Sequence, residues 1–489
     1  MLLGYDIGSS SVKASVVDAL TGECLATTFF PKQEMVISSP QPGFAEQNPT
    51  DWWNAAVECT HELIRLLEAS GKQPDIKAIG ISYQMHGLVC MGRDEALRPS
   101  IIWCDSRAVS YGNNFTAGKL AWVHDHEPDM YNQIEKILLP GDYIAYKLTG
   151  DMRTTVSGLS EGLFWDMQHN SLNEAEISRL HLNPTLLAET VPTFGLQGTL
   201  TEKAARLLGL TAGIPITYRA GDQPNNALSL GVLDDGEVAA TGGTSGVVYA
   251  VSDKPVSDPL NRVNPFVHVN GKTGILLCIN SVGILNAWLR RNVASDLSYA
   301  QMNDLAATVP IGSEGLTLIP FGNGAERVLQ NRPSHCSIHG LDFNTHTRAH
   351  LIRAAHESIA FAFAYGMHVM NDLGATTHLI RAGHGNLFLS PIFRQTLSTL
   401  TDARILLYNT DGSIGAARGA GIGAGIYSTP RDAFQTLQKV AEVTPHPYEK
   451  TETQAAYDRW LSYLTTNTKS KLNENVFSKH RQNPLRRTS

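Results

Sequence analysis

The sequence predicts an α/β protein made of two similar domains with a cleft between them. Short runs of branched and apolar residues alternate with helical patterns along the chain, as in proteins whose sheets are covered by helices. A strand–turn–strand pattern with glycine and hydroxyl residues at its tip occurs at residues 2–17 and again at 238–251. Because the pattern restarts in mid-chain, we predict domains at 1–230 and 231–460 and a basic tail at 461–489.

Each predicted element follows from a local pattern. Thr50 or Asp51 can cap a helix with apolar residues at near-helical spacing, and Pro140 begins a short helix that ends at Gly150. A long apolar helix is predicted over residues 350–370. Short apolar runs rich in branched residues predict strands outside the two hairpins at 76–82, 215–220, 274–279, 316–319, 378–381 and 405–408.

Composition excludes several classes of function. The 489 residues contain 39 Lys+Arg and 46 Asp+Glu, and this net charge of −7 excludes bulk attraction to nucleic acid or an anionic membrane as the main activity. No apolar run reaches the length of a membrane span, and Asp6 and Lys13 interrupt any signal-peptide pattern. The six cysteines include no C-x-x-C pair, so we expect reduced thiols in a cytoplasmic protein. Residues 469–489 read as a solvated basic extension, with a nucleic-acid arm as the alternative.

The two hairpin tips are candidate phosphate-binding turns. In the first, Gly8, Ser9 and Ser10 offer backbone N–H groups and hydroxyls to phosphate oxygens, and Asp6 beside them suits Mg²⁺. The second tip, Gly243-Thr244-Ser245-Gly246, has the same chemistry. Each could be an ordinary turn, but two such tips in two similar halves could hold one polyphosphate from both sides of a cleft.

A carboxylate is predicted at the rim of this cleft. Asp222 and Gln223 follow the predicted strand at 215–220, and α/β enzymes keep their chemistry at such strand ends. Transfer of a phosphoryl group to a hydroxyl needs a carboxylate base within hydrogen-bonding reach. The simpler alternative is that Asp222 only caps the next helix.

Three further segments contain candidate binding residues. Met85 and His86 end the strand at 76–82, where His86 could hydrogen-bond a polyol or be merely structural. Trp103 and Asp105 end another apolar run, and Asp105 and Arg107 could bind sugar hydroxyls or each other. The last segment follows the strand at 378–381: its glycines allow the backbone to pack against a flat ring such as adenine, and its candidate residues are Gly383, Gly385 and Asn386.

These segments together resemble the FGGY family of carbohydrate kinases, and within it the xylulokinases. The resemblance covers most of residues 1–430 in the same order. It is carried by GYDIGSSSVKASVVD (4–18), GFAEQNPTDWW (43–53), IGISYQMHGLV (79–89), AGDQPNNALSLG (220–231), ATGGTSGVVYAV (240–251) and GAARGAGIGAG (415–425), among others. One departure is that the stretch between Arg107 and Phe115 is markedly shorter than in xylulokinases.

The resemblance implies two actin-like (ribonuclease-H-like) domains that close on ATP, Mg²⁺ and a small-molecule sugar. By motif, Asp222 is the implied catalytic base, Asp6 is the magnesium-side carboxylate, and Met85 and His86 contact the sugar. The implied nucleotide contacts are Gly243, Thr244 and Ser245 at the second phosphate loop, and Gly383 and Gly385 near the nucleotide. Enzymes of this kind are often dimers, so a homodimer is left open.

The expected activity is transfer of the γ-phosphoryl of ATP to a ketopentose, with D-xylulose as the first candidate. A family kinase for another polyol, ketose or sugar acid is the second reading, because specificity rests on a few hydroxyl contacts. A non-catalytic actin-like ATP-binding module is the third. The combination of Asp222 with Met85 and His86 favours a kinase, since a module without sugar chemistry has no need for a carboxylate at the cleft rim.

Overall fold

A computed structural model describes residues 1–332 and 334–481, with the backbone alone for residue 326 and residues 467–481. The strands of the first half are β1 (Leu2–Ile7), β2 (Val12–Val17), β3 (Cys24–Phe30), β4 (Glu46–Gln47), β5 (Ala78–Tyr83), β6 (Val89–Met91), β7 (Ser100–Ile101), β8 (Lys136–Leu138), β9 (Arg153–Thr155), β10 (Trp165–Asp166), β11 (Ser171–Leu172), β12 (Glu189–Val191), β13 (Phe194–Thr199) and β14 (Pro215–Gly221). Its helices are α1 (Pro49–Ala69), α2 (Thr116–His126), α3 (Pro128–Tyr131), α4 (Pro140–Thr149), α5 (Val156–Glu161), α6 (Glu174–Arg179), α7 (Glu202–Leu208) and α8 (Asp222–Ser229).

The second half repeats the alternation of strands and helices. Its strands are β15 (Glu237–Gly242), β16 (Gly246–Ser252), β17 (Asn264–Val267), β18 (Thr273–Ile279), β19 (Thr317–Ile319), β20 (Ser337–His339), β21 (Leu379–Gly383), β22 (Arg404–Tyr408) and β23 (Lys439–Val443). Its helices are α9 (Gly283–Asn292), α10 (Tyr299–Ala307), α11 (Arg348–Asp372), α12 (Pro391–Thr401), α13 (Gly412–Gly423) and α14 (Lys450–Arg481).

The two main sheets share one topology. The first has the strand order β13-β14-β5-β1-β2-β3, and the second has the order β17-β18-β16-β15-β21-β22-β23. Each sheet contains an antiparallel hairpin, β1-β2 in the first and β15-β16 in the second. On the other side of the hairpin's first strand lie two strands parallel to it, β5 and β14 in the first sheet and β21 and β22 in the second. The predicted α/β class with two similar halves is therefore confirmed. The boundary near residue 230 stays a prediction.

The predicted strands and helices lie within a few residues of their observed bounds. The helix at residues 140–149 ends at Gly150, whose φ of 81° needs glycine at this C-cap. One detail is wrong: the side chain that caps α1 is that of Asn48, which accepts from Thr50 N, and neither Thr50 nor Asp51 is the cap. Asn48 takes this role because Pro49, which has no N–H to satisfy, occupies the first position of the helix.

Helix α13, from the second half of the chain, packs directly on the first sheet. Its backbone lies so close to β1 and β5 that a Cβ at Gly4 would overlap the Ser413 carbonyl, and one at Gly80 would overlap that of Ala416. The sequence of the helix, GSIGAARGAGIG, is made almost entirely of small residues, which permits this approach. The last third of the chain is thereby joined to the sheet with which the chain begins.

The C-terminal helix α14 packs on the second domain. Trp460 is fully buried and donates to the Leu318 carbonyl at 3.1 Å, and Leu464 is also buried. The predicted tail at 461–489 therefore begins inside this helix, and residues 482–489 lie outside the described residues. Among the described residues, no helix combines the length and the apolar character that a membrane crossing requires.

Gly4→Ala is expected to destabilise the protein by about 3 kcal/mol, because the new methyl group meets the backbone of α13 and not a movable side chain. Thermal melting monitored by circular dichroism measures the change. Gly385→Ala is the matched control, since a Cβ there meets no atom within 4 Å. Equal melting midpoints for the two variants would contradict this account of the α13 contact.

Candidate active site

The parallel strands of the first sheet bring Asp6 and Asp222 to the same edge. Asp6 on β1 is paired with Ser82 on β5, and Ser82 is paired with Ala220 on β14. Asp222 is the first residue of α8, immediately after β14 ends. Because these strands run in the same direction, their carboxyl ends meet at one rim, as the sequence predicted.

The position of Asp222 changes its acidity. Burial raises the pKa of Asp222 to about 7, and the charge of nearby Asp6 adds to the shift, whereas hydrogen bonds from Gln223 oppose it. A carboxyl group that titrates near neutral pH is suited to take a proton from a reacting hydroxyl. Gln223, a predicted substrate contact, thus hydrogen-bonds Asp222, the predicted base. The roles of both residues stay predictions.

Asp6 lies in a group of charged residues contributed by both halves of the chain. Ser82 Oγ donates to Asp6 Oδ1 at 2.7 Å, and burial followed by the charge of Asp411 raises the pKa of Asp6 above its usual value. Lys13 Nζ donates to Asp411 Oδ2 at 2.5 Å. Gly412 packs so closely on the Asp6 carboxylate that any larger residue would displace it.

The donors at Asp6 fit a magnesium ion that keeps most of its water. Within the described residues, no group of three or more His, Cys, Asp and Glu side chains is arranged to enclose a metal ion. Mg²⁺ is commonly held by only one or two carboxylates together with waters and substrate phosphates. Asp6 and nearby Asp222 are carboxyl groups of this kind, and a metal-side role for Asp6 stays a prediction.

The first predicted phosphate turn is a tight turn at the end of β1. Gly8 N donates to the Ser11 carbonyl at 3.1 Å, and Gln47 Nε2 donates to the Ser9 carbonyl at 2.7 Å. Predicted Trp103 is about half exposed, and its Nε1 donates to Ser9 Oγ at 3.3 Å. Ser10 is exposed. The turn therefore lies beside the loop that contains Trp103.

Met85 and His86 follow β5 at the same rim as Asp222. Met85 is buried, and both its side chain and the carboxyl of Glu161 lie against Gly221, the residue before Asp222. The His86 ring packs edge-on against Phe115, with centroids 4.5 Å apart, and against Phe266 of the second half at 5.6 Å. The predicted sugar-contacting turn and the predicted base are therefore neighbours.

Asp105 is held by hydrogen bonds and an ion pair with neighbouring residues. It is fully buried, accepts from Ala45 N at 2.6 Å, and pairs with Arg107 at 2.8 Å. Arg107 also pairs with Glu46 at 2.7 Å, and Arg98 binds the same Glu46 carboxylate. Of the two predicted alternatives for Asp105 and Arg107, this geometry favours binding to each other, and sugar binding by Asp105 stays a prediction.

The second half provides two adjoining cavities at the other predicted turns. One of about 490 Å³ is lined by Gly243, Thr244 and Asn386 together with residues of α9 and α10. The other, of about 200 Å³, is lined by Gly383, Gly385 and Asn386. Ser245 lies exposed at the same hairpin tip and donates to Asn280 Oδ1 at 3.3 Å. The predicted nucleotide residues thus come together from two separate segments.

Some residues at these sites were missed by the sequence reasoning. Arg291, Tyr299 and Asn303 line the larger cavity, but their segments show only ordinary amphipathic helices. Glu161 and Lys119 are buried beside His86, and nothing in their local sequence indicates a site. Only the tertiary fold brings these residues to the cleft.

The two domain models of the FGGY family of carbohydrate kinases match the chain in order. The N-terminal-domain model matches residues 1–114 and 109–229, and the C-terminal-domain model matches residues 238–424. The chain belongs to the FGGY family of carbohydrate kinases. The two N-terminal matches overlap at residues 109–114. This overlap lies between Arg107 and Phe115, in the stretch that is shorter than in xylulokinases.

Relatives of this FGGY kinase are similar over nearly their whole length. The xylulose kinase of Escherichia coli is 28% identical over 89% of this chain and 92% of its own length. That of Bacillus subtilis is 25% identical over 95% of this chain and 96% of its own length. The crystal structure of xylulose kinase from Rhodospirillum rubrum matches with a TM-score of 0.87 and 26% identity, over 95% of this chain and 98% of that one.

We expect Asp222→Asn to stabilise the ligand-free chain, and to do so more at pH 8 than at pH 5. The folded-state pKa of about 7 exceeds the ordinary value of 3.8, so the folded state retains a proton that the unfolded chain releases. Asp222 lowers the free energy of unfolding, because its buried carboxyl group resists ionisation. This loss is absent below about pH 4 and reaches on the order of a few kcal/mol by pH 7. Asparagine does not ionise, so the Asp222→Asn variant does not suffer this loss of stability.

Melting midpoints of both proteins at the two pH values measure this difference. Asp151→Asn, at an exposed position, is the control for removing one negative charge. A stabilisation by Asp222→Asn that is the same at pH 5 and pH 8 would show that burial does not hold the proton on Asp222.

Proposed function

We propose that this chain transfers the γ-phosphoryl group of ATP to the terminal hydroxyl of a ketopentose, converting D-xylulose to D-xylulose 5-phosphate. The observation that carries the proposal is the position of Asp222, with a pKa near neutrality, between the His86 turn and Asp6. Family membership supports a sugar kinase, and the relatives named xylulose kinase favour this sugar.

In this mechanism Asp222 orients the sugar hydroxyl and accepts its proton. The hydroxyl oxygen forms a bond to the γ-phosphorus while the bond from that phosphorus to the bridging oxygen of ADP breaks. Such transition states are loose, so alignment and neutralisation of charge provide most of the acceleration. A positioned base typically adds about 10²–10⁴-fold. Met85 and Gly221 form a buried floor next to Asp222.

The nucleotide is assigned to the second half. The cavity of about 490 Å³ offers the apolar side chains of Ile284 and Leu387 to a nucleoside and the Gly243-Thr244 turn to its phosphates. The Gly8-Ser9-Ser10 turn of the first hairpin is proposed to contact these phosphates as well, although Gly8 N already donates to the Ser11 carbonyl. When bound, Mg²⁺ would neutralise phosphate charge, and Asp6 is the residue that would hold it through water or directly.

A coupled assay of ADP release with ATP and a panel of ketoses, polyols and sugar acids tests the function. We expect D-xylulose to stimulate release most, and Asp222→Asn to lower kcat by about 10²–10⁴-fold with normal folding. Glu357→Gln is the control, because it alters an equally buried carboxyl in the second half. Hydrolysis of ATP that no sugar stimulates would support a non-catalytic module, and near-normal turnover by Asp222→Asn would remove Asp222 from its role.

Asp6→Asn is expected to raise the Mg²⁺ concentration needed for half-maximal activity by roughly tenfold or more, because an anionic ligand is lost. A magnesium titration at saturating ATP and sugar measures the shift. Asp151→Asn is again the control for charge. A titration curve that matches the wild type would show that Asp6 does not act on the metal side.

A further inference from the structure

The backbone of His86 is held in a left-handed conformation by two buried side chains, a lysine and a glutamate. Its φ is 60°, a conformation that is uncommon for residues other than glycine, although histidine adopts it more often than most. Lys119 Nζ donates to the His86 carbonyl at 2.7 Å, and His86 N donates to Glu161 Oε1 at 3.4 Å. Both Lys119 and Glu161 are almost completely buried. The turn is therefore fixed from both sides.

The ring of His86 is held in one tautomer by the same segment. Its Nδ1 lies 3.0 Å from the Glu161 main-chain carbonyl, which only accepts hydrogen bonds, so Nδ1 carries the proton. In the neutral ring Nε2 is then an acceptor only. Burial lowers the pKa of His86 to about 3, and the charges of Lys119 and Arg327 add to this, so the ring is neutral at physiological pH.

Among the side chains that the structure describes, which leave out those of residues 326 and 467–481, none hydrogen-bonds Nε2 of His86. The N–H, the carbonyl and Nδ1 of His86 are all bonded. His86 as a whole is partly buried, and its ring contacts Phe115 and Phe266 at the same rim as Asp222. Because Nε2 is a neutral hydrogen-bond acceptor, it is complemented by a ligand group that donates a hydrogen bond.

We propose that Lys119 and Glu161 are positioning residues that hold His86 in a single turn and a single tautomer, so that the site selects its substrate by a hydroxyl that donates to Nε2. This inference rests on the proposed function and deepens it, because it assigns the acceptor substrate to neutral ketoses and polyols. A sugar acid whose carboxylate takes that place is rejected, since two acceptors cannot hydrogen-bond.

The first test compares two substitutions of the histidine in the full chain. In His86→Gln the side-chain oxygen can reach the position of Nε2, whereas in His86→Asn the amide reaches only that of Nδ1. We expect His86→Gln to keep the KM for D-xylulose within a few-fold, and His86→Asn to raise it by about 10- to 100-fold. If the left-handed backbone alone mattered, asparagine would be the better substitute, and that result would overturn the proposal.

The second test removes the positioning cation. Lys119→Met is expected to raise the KM for the sugar about tenfold or more, while kcat and the KM for ATP stay within about threefold. Lys147→Met, a similar substitution on α4, is the control for lost charge and is expected to leave all three constants unchanged. Equal changes in both KM values, or none in either, would overturn the role of Lys119.

A third measurement needs no variant and separates this inference from the function itself. The wild-type chain is assayed with D-xylulose and with five-carbon sugar acids at equal concentrations. Preference for the neutral sugar by about 10²-fold or more supports the hydroxyl-selecting role of His86. Comparable turnover of a sugar acid would overturn it while leaving the kinase intact, and absence of turnover with every sugar would overturn the proposed function instead.

Discussion

The contact between α13 and the first sheet is the constraint on which the rest of the structure depends. Gly4 and Gly80 allow the helix backbone to lie directly on β1 and β5, where any side chain would overlap it. This contact fixes the start of α13, so that Gly412 touches Asp6 and Asp411 reaches Lys13. The charges at the phosphate side of the cleft are thus set by a packing contact between residues some 400 positions apart in the chain.

The site concentrates carboxyl groups at a cost in stability. Burial raises the pKa values of Asp6, Asp222 and Glu161, so each is held in an environment that opposes its ionised form. Lys13, which lies near Asp6, is paired with Asp411 and holds the pKa of that group below its usual value against the effect of burial. A cation that binds beside these carboxyl groups stabilises their ionised form. Its binding therefore offsets part of the cost of burying them.

Local patterns were sufficient to predict the fold but only part of the site. The two hairpins, the helix at 140–149 and the strand before Asp222 follow from apolar periodicity and from glycine at turns, which act over a few residues. The pairing of Asp105 with Arg107 was one of the two predicted alternatives, but the second partner of Arg107, Glu46, could not be predicted, because the pairing of β4 with β7 brings it there. Lys119 and Glu161 were missed for the same reason. Each lies on a helix whose local sequence indicates no site, and only the tertiary fold brings its side chain to His86.

The repeated topology also explains how the two halves divide the chemistry. Asp6 precedes the first turn at the position where Thr241 precedes the second, and Asp222 follows β14 whereas a neutral Asn409 follows β22. At these corresponding positions the first half has carboxylates and the second has a hydroxyl and an amide, although the second half also contributes Asp411, which pairs with Lys13 beside Asp6. Asn226 of α8 donates to Thr241 Oγ1 at 3.1 Å and so joins the two rims directly. Since a triphosphate is repelled by carboxylates and bound by N–H groups, this difference supports the proposal that the nucleotide binds to the second half and that proton transfer occurs at the first.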